Sequence, residues 1–203
     1  MTLLATWALP RVFVADDGEP RAPLEGLATG TFLRDLDLPA LVSRASTIDP
    51  PWGLDVDSIR GLHPDEAAAR FVIGRLGASV VVSRRPAVLR AACDEGAIGL
   101  LAVQAFDSTG LRRVVQHGPL PEGVGCLVSP GLVLPHLRAD ELAALPRPLV
   151  GHGLITRPND ARACLDLADA IVVRRDAARH LAMAMRGGPQ PAIQTLTSIR
   201  IEE

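Results

Sequence analysis

Two aspartates that lie two residues apart, Asp55 and Asp57, form the pair of carboxylates in this sequence most suited to act together. They follow the apolar end of a predicted strand, and side chains two positions apart on a strand lie on the same face. Two carboxylates on one face can bind a metal ion or share a proton. In the other interpretation, one caps the turn that follows and the other is solvated. The sequence alone leaves both interpretations open.

A second group of residues has the chemistry to bind an anion. Arg84 and the pair Arg174 and Arg175 each follow a short β-branched run, and Gln104 ends another apolar run. A guanidinium donates two parallel hydrogen bonds to a phosphate or carboxylate, and a glutamine side chain can bind a hydroxyl group. Arg84 can equally pair with a neighbouring acid, whereas Arg174 and Arg175 end the last predicted strand, where a phosphate clamp is expected.

Two loops rich in small residues also suit an anion. They are Ser129-Pro-Gly131 and Gly151-His-Gly153, each directly after an apolar run. Glycine lets backbone N–H groups approach a phosphate closely. His152 is interpreted either as a phosphate donor or as a structural histidine.

The composition excludes several classes of function. The 203 residues are 48% hydrophobic and 22% charged, which is typical of a globular protein, and the formal net charge of −2 does not indicate a nucleic-acid partner by itself. All 21 basic residues are arginine, so a Schiff base on lysine is ruled out. We find no nucleotide-binding loop, zinc pattern or serine-hydrolase motif. The three cysteines are widely spaced, which predicts reduced thiols.

The elements that must position these residues alternate along the chain. Short apolar strands and helical segments follow one another every 20 to 25 residues from residue 54 onward, which predicts βαβ units and a parallel sheet. The predicted helices include residues 63–76, residues 108–116 and a segment at 134–145 that Pro135 interrupts. With two irregular strands in the first fifty residues, the count reaches seven or eight, so we predict a compact TIM-like parallel β/α barrel. Residues 1–188 are predicted to form one domain, and residues 189–203 a tail that is an extra strand or an arm. In such a barrel the strand ends collect at one face, and the last two strands are the usual place for a phosphate.

The order of these motifs resembles that of the glycerol-3-phosphate-responsive antiterminator family over roughly residues 50 to 175. Five segments carry the resemblance, in order along the chain: Asp55-Val-Asp57-Ser-Ile-Arg-Gly-Leu62 with Asp65-Glu-Ala67, Val82-Ser-Arg84, Val103-Gln104 with Asp107-Ser108, Ser129-Pro-Gly131 and Gly151-His-Gly-Leu-Ile155. The resemblance implies a barrel without catalytic activity that senses glycerol 3-phosphate and binds a leader mRNA to prevent premature termination of glycerol-utilisation transcripts.

The resemblance also implies roles for single residues. Asp57, Arg84 and Gln104 would line the mouth of the barrel, and Gly151 and Gly153 would receive the phosphate. The chain departs from the family pattern at three positions. Asp55 stands where the family has histidine, Ala105 where it has arginine, and His152 where it has glycine. We expect Arg174 and Arg175 to supply charge in compensation.

Other functions remain open at this stage. One is a small barrel enzyme that acts on a phosphorylated or dicarboxylate metabolite through Asp55 and Asp57, with or without a divalent metal. Another is a ligand-sensing barrel that does not bind RNA. We expect a cytoplasmic protein without a membrane span, cofactor or resident metal, and we consider a homo-oligomer as one form of it.

Overall fold

A computed structural model describes residues 10–16, 29–105 and 120–185. Within these residues, eight parallel strands pair in sequence order and close on themselves, with β1 hydrogen-bonded to β8. The strands are β1 (Val12–Ala15), β2 (Thr29–Leu33), β3 (Trp52–Asp55), β4 (Val80–Ser83), β5 (Ile98–Gln104), β6 (Gly125–Ser129), β7 (Leu149–His152) and β8 (Ala170–Val173). The predicted TIM-like parallel barrel is confirmed.

Helices connect the strands on the outside of the barrel. The described ones are α1 (Leu38–Ala45), α2 (Glu66–Gly74), α3 (Pro86–Asp94), α4 (Ala139–Ala143), α5 (Pro158–Leu165) and α6 (Arg175–Met185). Asp37 and Asp65 cap α1 and α2, because each carboxylate accepts a hydrogen bond from a backbone N–H in the first turn. Proline in the first turn begins α1, α3 and α5, where its missing N–H costs nothing.

The barrel interior is filled with side chains. Phe13, Phe32, Leu100 and Leu127 belong to one buried cluster inside the strands, and a Cβ on Gly30 would lie 2.6 Å from the Phe13 ring. The ring therefore takes the space that a side chain at position 30 would need. Because the interior is a packed core, a ligand has room only at the ends of the barrel.

Several segments differ from the sequence-based expectation. Strand β3 ends at Asp55, and Asp57 lies in a 3₁₀ turn over Val56–Ser58. Helix α2 begins at Glu66, because Asp65 caps it from outside. The segment predicted as a broken helix at 134–145 is a 3₁₀ helix over Gly131–His136 followed by α4, since Pro135 removes a backbone donor.

Two predicted segments lie outside the described residues. The helix predicted at 108–116, with Asp107 and Ser108, and the tail at 189–203 are not among the described residues. In the part of the chain that the structure describes, no helix is long and apolar enough to span a membrane.

Candidate functional site

The ends of the strands form a mouth at one face of the barrel. Phe32, Val82, Leu127, Val150 and Val172 face the interior. The residue two positions after each of them lies on the same side of the backbone. The five residues found two positions later, together with Asp55 and Gln104, are called the mouth residues. They are Arg34, Asp55, Arg84, Gln104, Ser129, His152 and Arg174.

Asp57 is engaged by the strand next to it. Its Oδ1 accepts a hydrogen bond from the Ser83 hydroxyl at 2.8 Å, and its Oδ2 accepts from the backbone N–H and Nε of Arg84 at 2.8 and 3.3 Å. Its side chain is 8% exposed, whereas that of Arg84 is 71% exposed. Asp57 therefore fastens the turn after β3 to the end of β4.

Asp55 caps the 3₁₀ turn, since its Oδ1 accepts a hydrogen bond from the Asp57 N–H at 3.2 Å. The capping role considered from the sequence is thus confirmed for one aspartate. The same interpretation has the other aspartate solvated, and the structure contradicts that part, because the Asp57 side chain is 8% exposed and accepts three hydrogen bonds. Burial, and secondly the charge of Asp57, raise the pKa of Asp55, while Arg34 and Arg84 oppose that rise.

The interpretation of Asp55 and Asp57 as a metal-binding pair is tested by the contacts of their carboxylates. Among the described residues, no group of three or more His, Cys, Asp or Glu side chains is placed to hold a metal ion. Both oxygens of Asp57 already accept hydrogen bonds from protein donors. The two aspartates therefore do not stand as a free pair of carboxylates.

Arg34 is a mouth residue that the sequence-based reasoning missed. Its Nη1 lies 3.2 Å from Nε2 of His152, across the mouth from β2 to β7, and its Nε donates to Asp35 at 2.7 Å. The signal was available, because Arg34 stands two residues after the inward-facing Phe32. It was missed because β2 lies in the irregular first fifty residues.

His152 is neutral at pH 7. Burial and the nearby charge of Arg34 lower its pKa to about 4. A guanidinium has only donors, so Nε2 must accept the hydrogen bond from Arg34. The ring also packs against Phe32, with centroids 6.0 Å apart. His152 thus orients the arginine.

The two small-residue loops pack against each other. A Cβ on Gly131 would lie 2.6 Å from the backbone nitrogen of His152 and 2.9 Å from Cα of Gly151. The Gly131 N–H donates to the Gly153 carbonyl at 3.1 Å. Gly131 is therefore small because two backbones meet, and its N–H is occupied within the protein. At Gly151 a Cβ would lie 3.1 Å from Cδ1 of Leu134.

The end of β7 carries an unusual backbone. Gly153 has φ +84° and Leu154 has φ +59°, and the Leu154 side chain is 65% exposed. A leucine in the left-handed region costs roughly 1 kcal/mol. Ser129 faces this turn, with its hydroxyl 3.6 Å from the position of a Cβ on Gly153.

The remaining sequence-predicted residues lie at the rim. Gln104 is exposed at the end of β5. Arg174 is 83% exposed, with its Nε 3.6 Å from Asp176, and Arg175 is half-buried as the first residue of α6. Arg34, Arg84 and Arg174 thus follow the ends of three strands, and each has an acid beside it.

Comparison with known proteins gives the same family and fold. A model of the glycerol-3-phosphate responsive antiterminator family matches residues 31–176, which is 146 of the 203 residues. A glycerol uptake operon antiterminator-related protein from Thermotoga maritima is 23% identical, with TM-score 0.67, and the alignment covers 86% of this chain and 99% of that one. The glycerol uptake operon antiterminator regulatory protein of Listeria monocytogenes is 16% identical, with TM-score 0.66 and coverage of 79% and 90%.

Enzymes share the fold as well. Deoxyribose phosphate aldolase from Aeropyrum pernix is 18% identical, with TM-score 0.58, and the alignment covers 88% of this chain and 91% of the aldolase. No curated protein sequence matches the chain. Because the family model matches well over half of it, the chain belongs to the glycerol-3-phosphate responsive antiterminator family.

Proposed function

We propose that this member of the glycerol-3-phosphate responsive antiterminator family binds glycerol 3-phosphate at the mouth of its barrel and, in response, binds a leader mRNA as a transcription antiterminator. The observation that carries the proposal is the family match over residues 31–176, which contains every mouth residue. In this proposal the protein regulates glycerol metabolism genes and catalyses no reaction.

The mouth suits a small phosphorylated polyol. Arg34, Arg84 and Arg174 offer donors for a phosphate, while the half-buried Asp55 and the exposed Gln104 can accept hydrogen bonds from hydroxyl groups. We assign Ser129, His152, Gly153 and Arg175 to the same site. Gly131 supports it by letting the two loops approach each other, and Gly151 lies at that contact.

Ligand binding is tested by thermal unfolding with sn-glycerol 3-phosphate, glycerol and inorganic phosphate. A ligand at 100 times its dissociation constant adds about 2.7 kcal/mol of stability. We expect glycerol 3-phosphate to raise the Tm and glycerol to leave it unchanged. An unchanged Tm with millimolar glycerol 3-phosphate would contradict the proposed ligand.

RNA binding is tested with the leader transcript upstream of the gene and a shuffled RNA of equal length. The formal net charge is −2, so attraction must come from local arginines. Because phosphate contacts release counterions, we expect affinity for the leader to fall as salt rises. Equal affinity for both RNAs, or no leader binding at low salt with glycerol 3-phosphate present, refutes the RNA-binding part.

The enzyme interpretation is less well supported. It needs Asp55 and Asp57 to act on a substrate, but the Asp57 oxygens already accept hydrogen bonds from Ser83 and Arg84. The enzyme interpretation would be supported if the protein turned over a phosphorylated metabolite and a folded Asp57→Asn variant did not.

A cytoplasmic location, a single domain over residues 1–188 and self-association are further parts of the proposal. Light scattering with and without glycerol 3-phosphate tests the last of these.

A further inference from the structure

Arg34 is less exposed than the other mouth arginines whose contacts are described. Its side chain is 38% exposed, against 71% for Arg84 and 83% for Arg174. It has partners on two sides, Asp35 at 2.7 Å and His152 at 3.2 Å, whereas Arg174 has an acid at 3.6 Å. An arginine whose orientation is already set loses less side-chain entropy when a ligand binds.

Arg34 also keeps donors for a ligand. A guanidinium has five N–H groups. Asp35 takes the one on Nε, and His152 takes one of the two on Nη1. Among the described residues, the other three have no partner. The phosphate of a small ligand at the mouth can accept more than one of them, in the paired geometry that guanidinium and phosphate favour.

Neutral His152 explains why this orientation persists. The ring is half-buried and packs on Phe32, so its acceptor nitrogen is fixed in direction. A protonated ring would have no acceptor and would repel the guanidinium. Burial keeps the ring neutral, since it lowers the pKa to about 4. His152 therefore acts on a ligand through Arg34 and not as a charged donor.

The charge next to Arg34 restricts the ligand. The carboxylate of Asp55 lies within electrostatic range of the guanidinium. Besides the Asp57 N–H at 3.2 Å, no donor to the Asp55 carboxylate is seen among the described residues. A ligand that fits both groups has an anion for Arg34 and a hydroxyl for Asp55 in one small molecule.

We propose that Arg34, positioned by His152, is the specificity-determining residue of the mouth, where its guanidinium binds the phosphate of a polyol phosphate while Asp55 accepts a hydrogen bond from the polyol. This inference rests on the proposed function in that it uses the same site. It goes further because it singles out Arg34 among the three mouth arginines as the phosphate ligand and assigns the polyol hydroxyl to Asp55.

The test is calorimetric titration of the full chain with sn-glycerol 3-phosphate. The variants are Arg34→Gln and Arg34→Lys, and the control is Arg70→Gln. Arg70 is a suitable match, because it too has two side-chain partners, Glu66 at 3.3 Å and Glu95 at 3.7 Å, but lies on α2 outside the barrel. Thermal unfolding without ligand identifies any variant that fails to fold.

We expect Arg34→Gln to weaken binding about 10- to 100-fold, which is the effect of losing charged hydrogen bonds. Arg34→Lys should bind between Arg34→Gln and wild type, since it keeps the charge but not the fork. Arg70→Gln should bind within about twofold of wild type. Arg34→Lys also serves if Arg34→Gln does not fold.

The outcomes separate the two proposals. If wild type binds glycerol 3-phosphate and both Arg34 variants bind equally well, the role of Arg34 is refuted and the proposed ligand stands. If wild type binds glycerol 2-phosphate or ribose 5-phosphate instead, the proposed ligand is refuted, and the same variants judge Arg34 with that compound. If wild type binds none of the three, both proposals fail.

Discussion

Gly131→Ala is expected to destabilise the protein, although its backbone lies outside the left-handed region that excludes alanine. The new Cβ would lie 2.6 Å from the His152 nitrogen and 2.8 Å from the Gly151 carbonyl carbon. Carbon atoms in contact normally lie roughly 3.5–4.0 Å apart, so β7 or the loop must move by close to an ångström. Both obstacles are backbone atoms of a strand that is paired on both sides.

The expected decrease in the free energy of unfolding follows from these distances. Overpacking a core typically costs about 1–3 kcal/mol and occasionally more, and an obstacle made of backbone places this case at or above the upper end, about 2–4 kcal/mol. In a domain of this size each kcal/mol lowers the Tm by roughly 2–4 °C. Gly131→Ala should therefore melt roughly 5–15 °C below wild type.

Urea unfolding followed by tryptophan fluorescence measures the effect, because Trp52 is 1% exposed. Gly74→Ala is the matched control. A Cβ there meets nothing within 4 Å, and the residue ends helix α2, so this variant should gain about 0.5 kcal/mol. A Gly131→Ala variant within 0.5 kcal/mol of wild type would refute the proposed close packing of the two loops.

Four variants address the charged and buried groups. The pKa of His152 is lowered to about 4, so its contribution to stability is complete above pH 6.5 and is lost as the pH falls towards 4. Acid titration of wild type should show a loss of up to about 3 kcal/mol that His152→Gln lacks. Asp57→Asn should lose about 2 kcal/mol in urea unfolding, since the amide loses charge-assisted bonds to the buried Ser83; an unchanged midpoint argues against the fastening role. Arg44→Ala should lose about 3 kcal/mol, because Asp16, 2% exposed, accepts two hydrogen bonds from Arg44; Arg70→Gln, at an exposed pair, should lose less than 1 kcal/mol.

The sequence predicted the barrel because its strands are short, continuous apolar runs. Val80–Ser83 and Ala170–Val173 are continuous buried runs, as expected for strands covered on both faces. Boundaries were less accurate where a cap or proline decides them, as at Asp65 and Pro135.

The candidate site was only partly predictable. The residues at the ends of β3 to β8 follow from strand alternation. The sequence does not show which hydrogen-bond donors and acceptors are already paired within the protein. The Gly131 N–H donates to the Gly153 carbonyl, and the Asp57 carboxylate accepts hydrogen bonds from Ser83 and Arg84. These contacts depend on registers between neighbouring strands and loops, and no periodicity in the sequence encodes them.

The contact between Arg34 and His152 joins positions 118 residues apart in the chain. During synthesis on the ribosome, Arg34 emerges long before the segment that orients it. A partly made chain has neither the acceptor on β7 nor the closure of β8 against β1. The mouth in its oriented form therefore exists only after nearly all of the barrel has been made and closed. A small molecule bound there would stabilise finished molecules alone, so its presence would raise the yield of folded protein without acting on nascent chains.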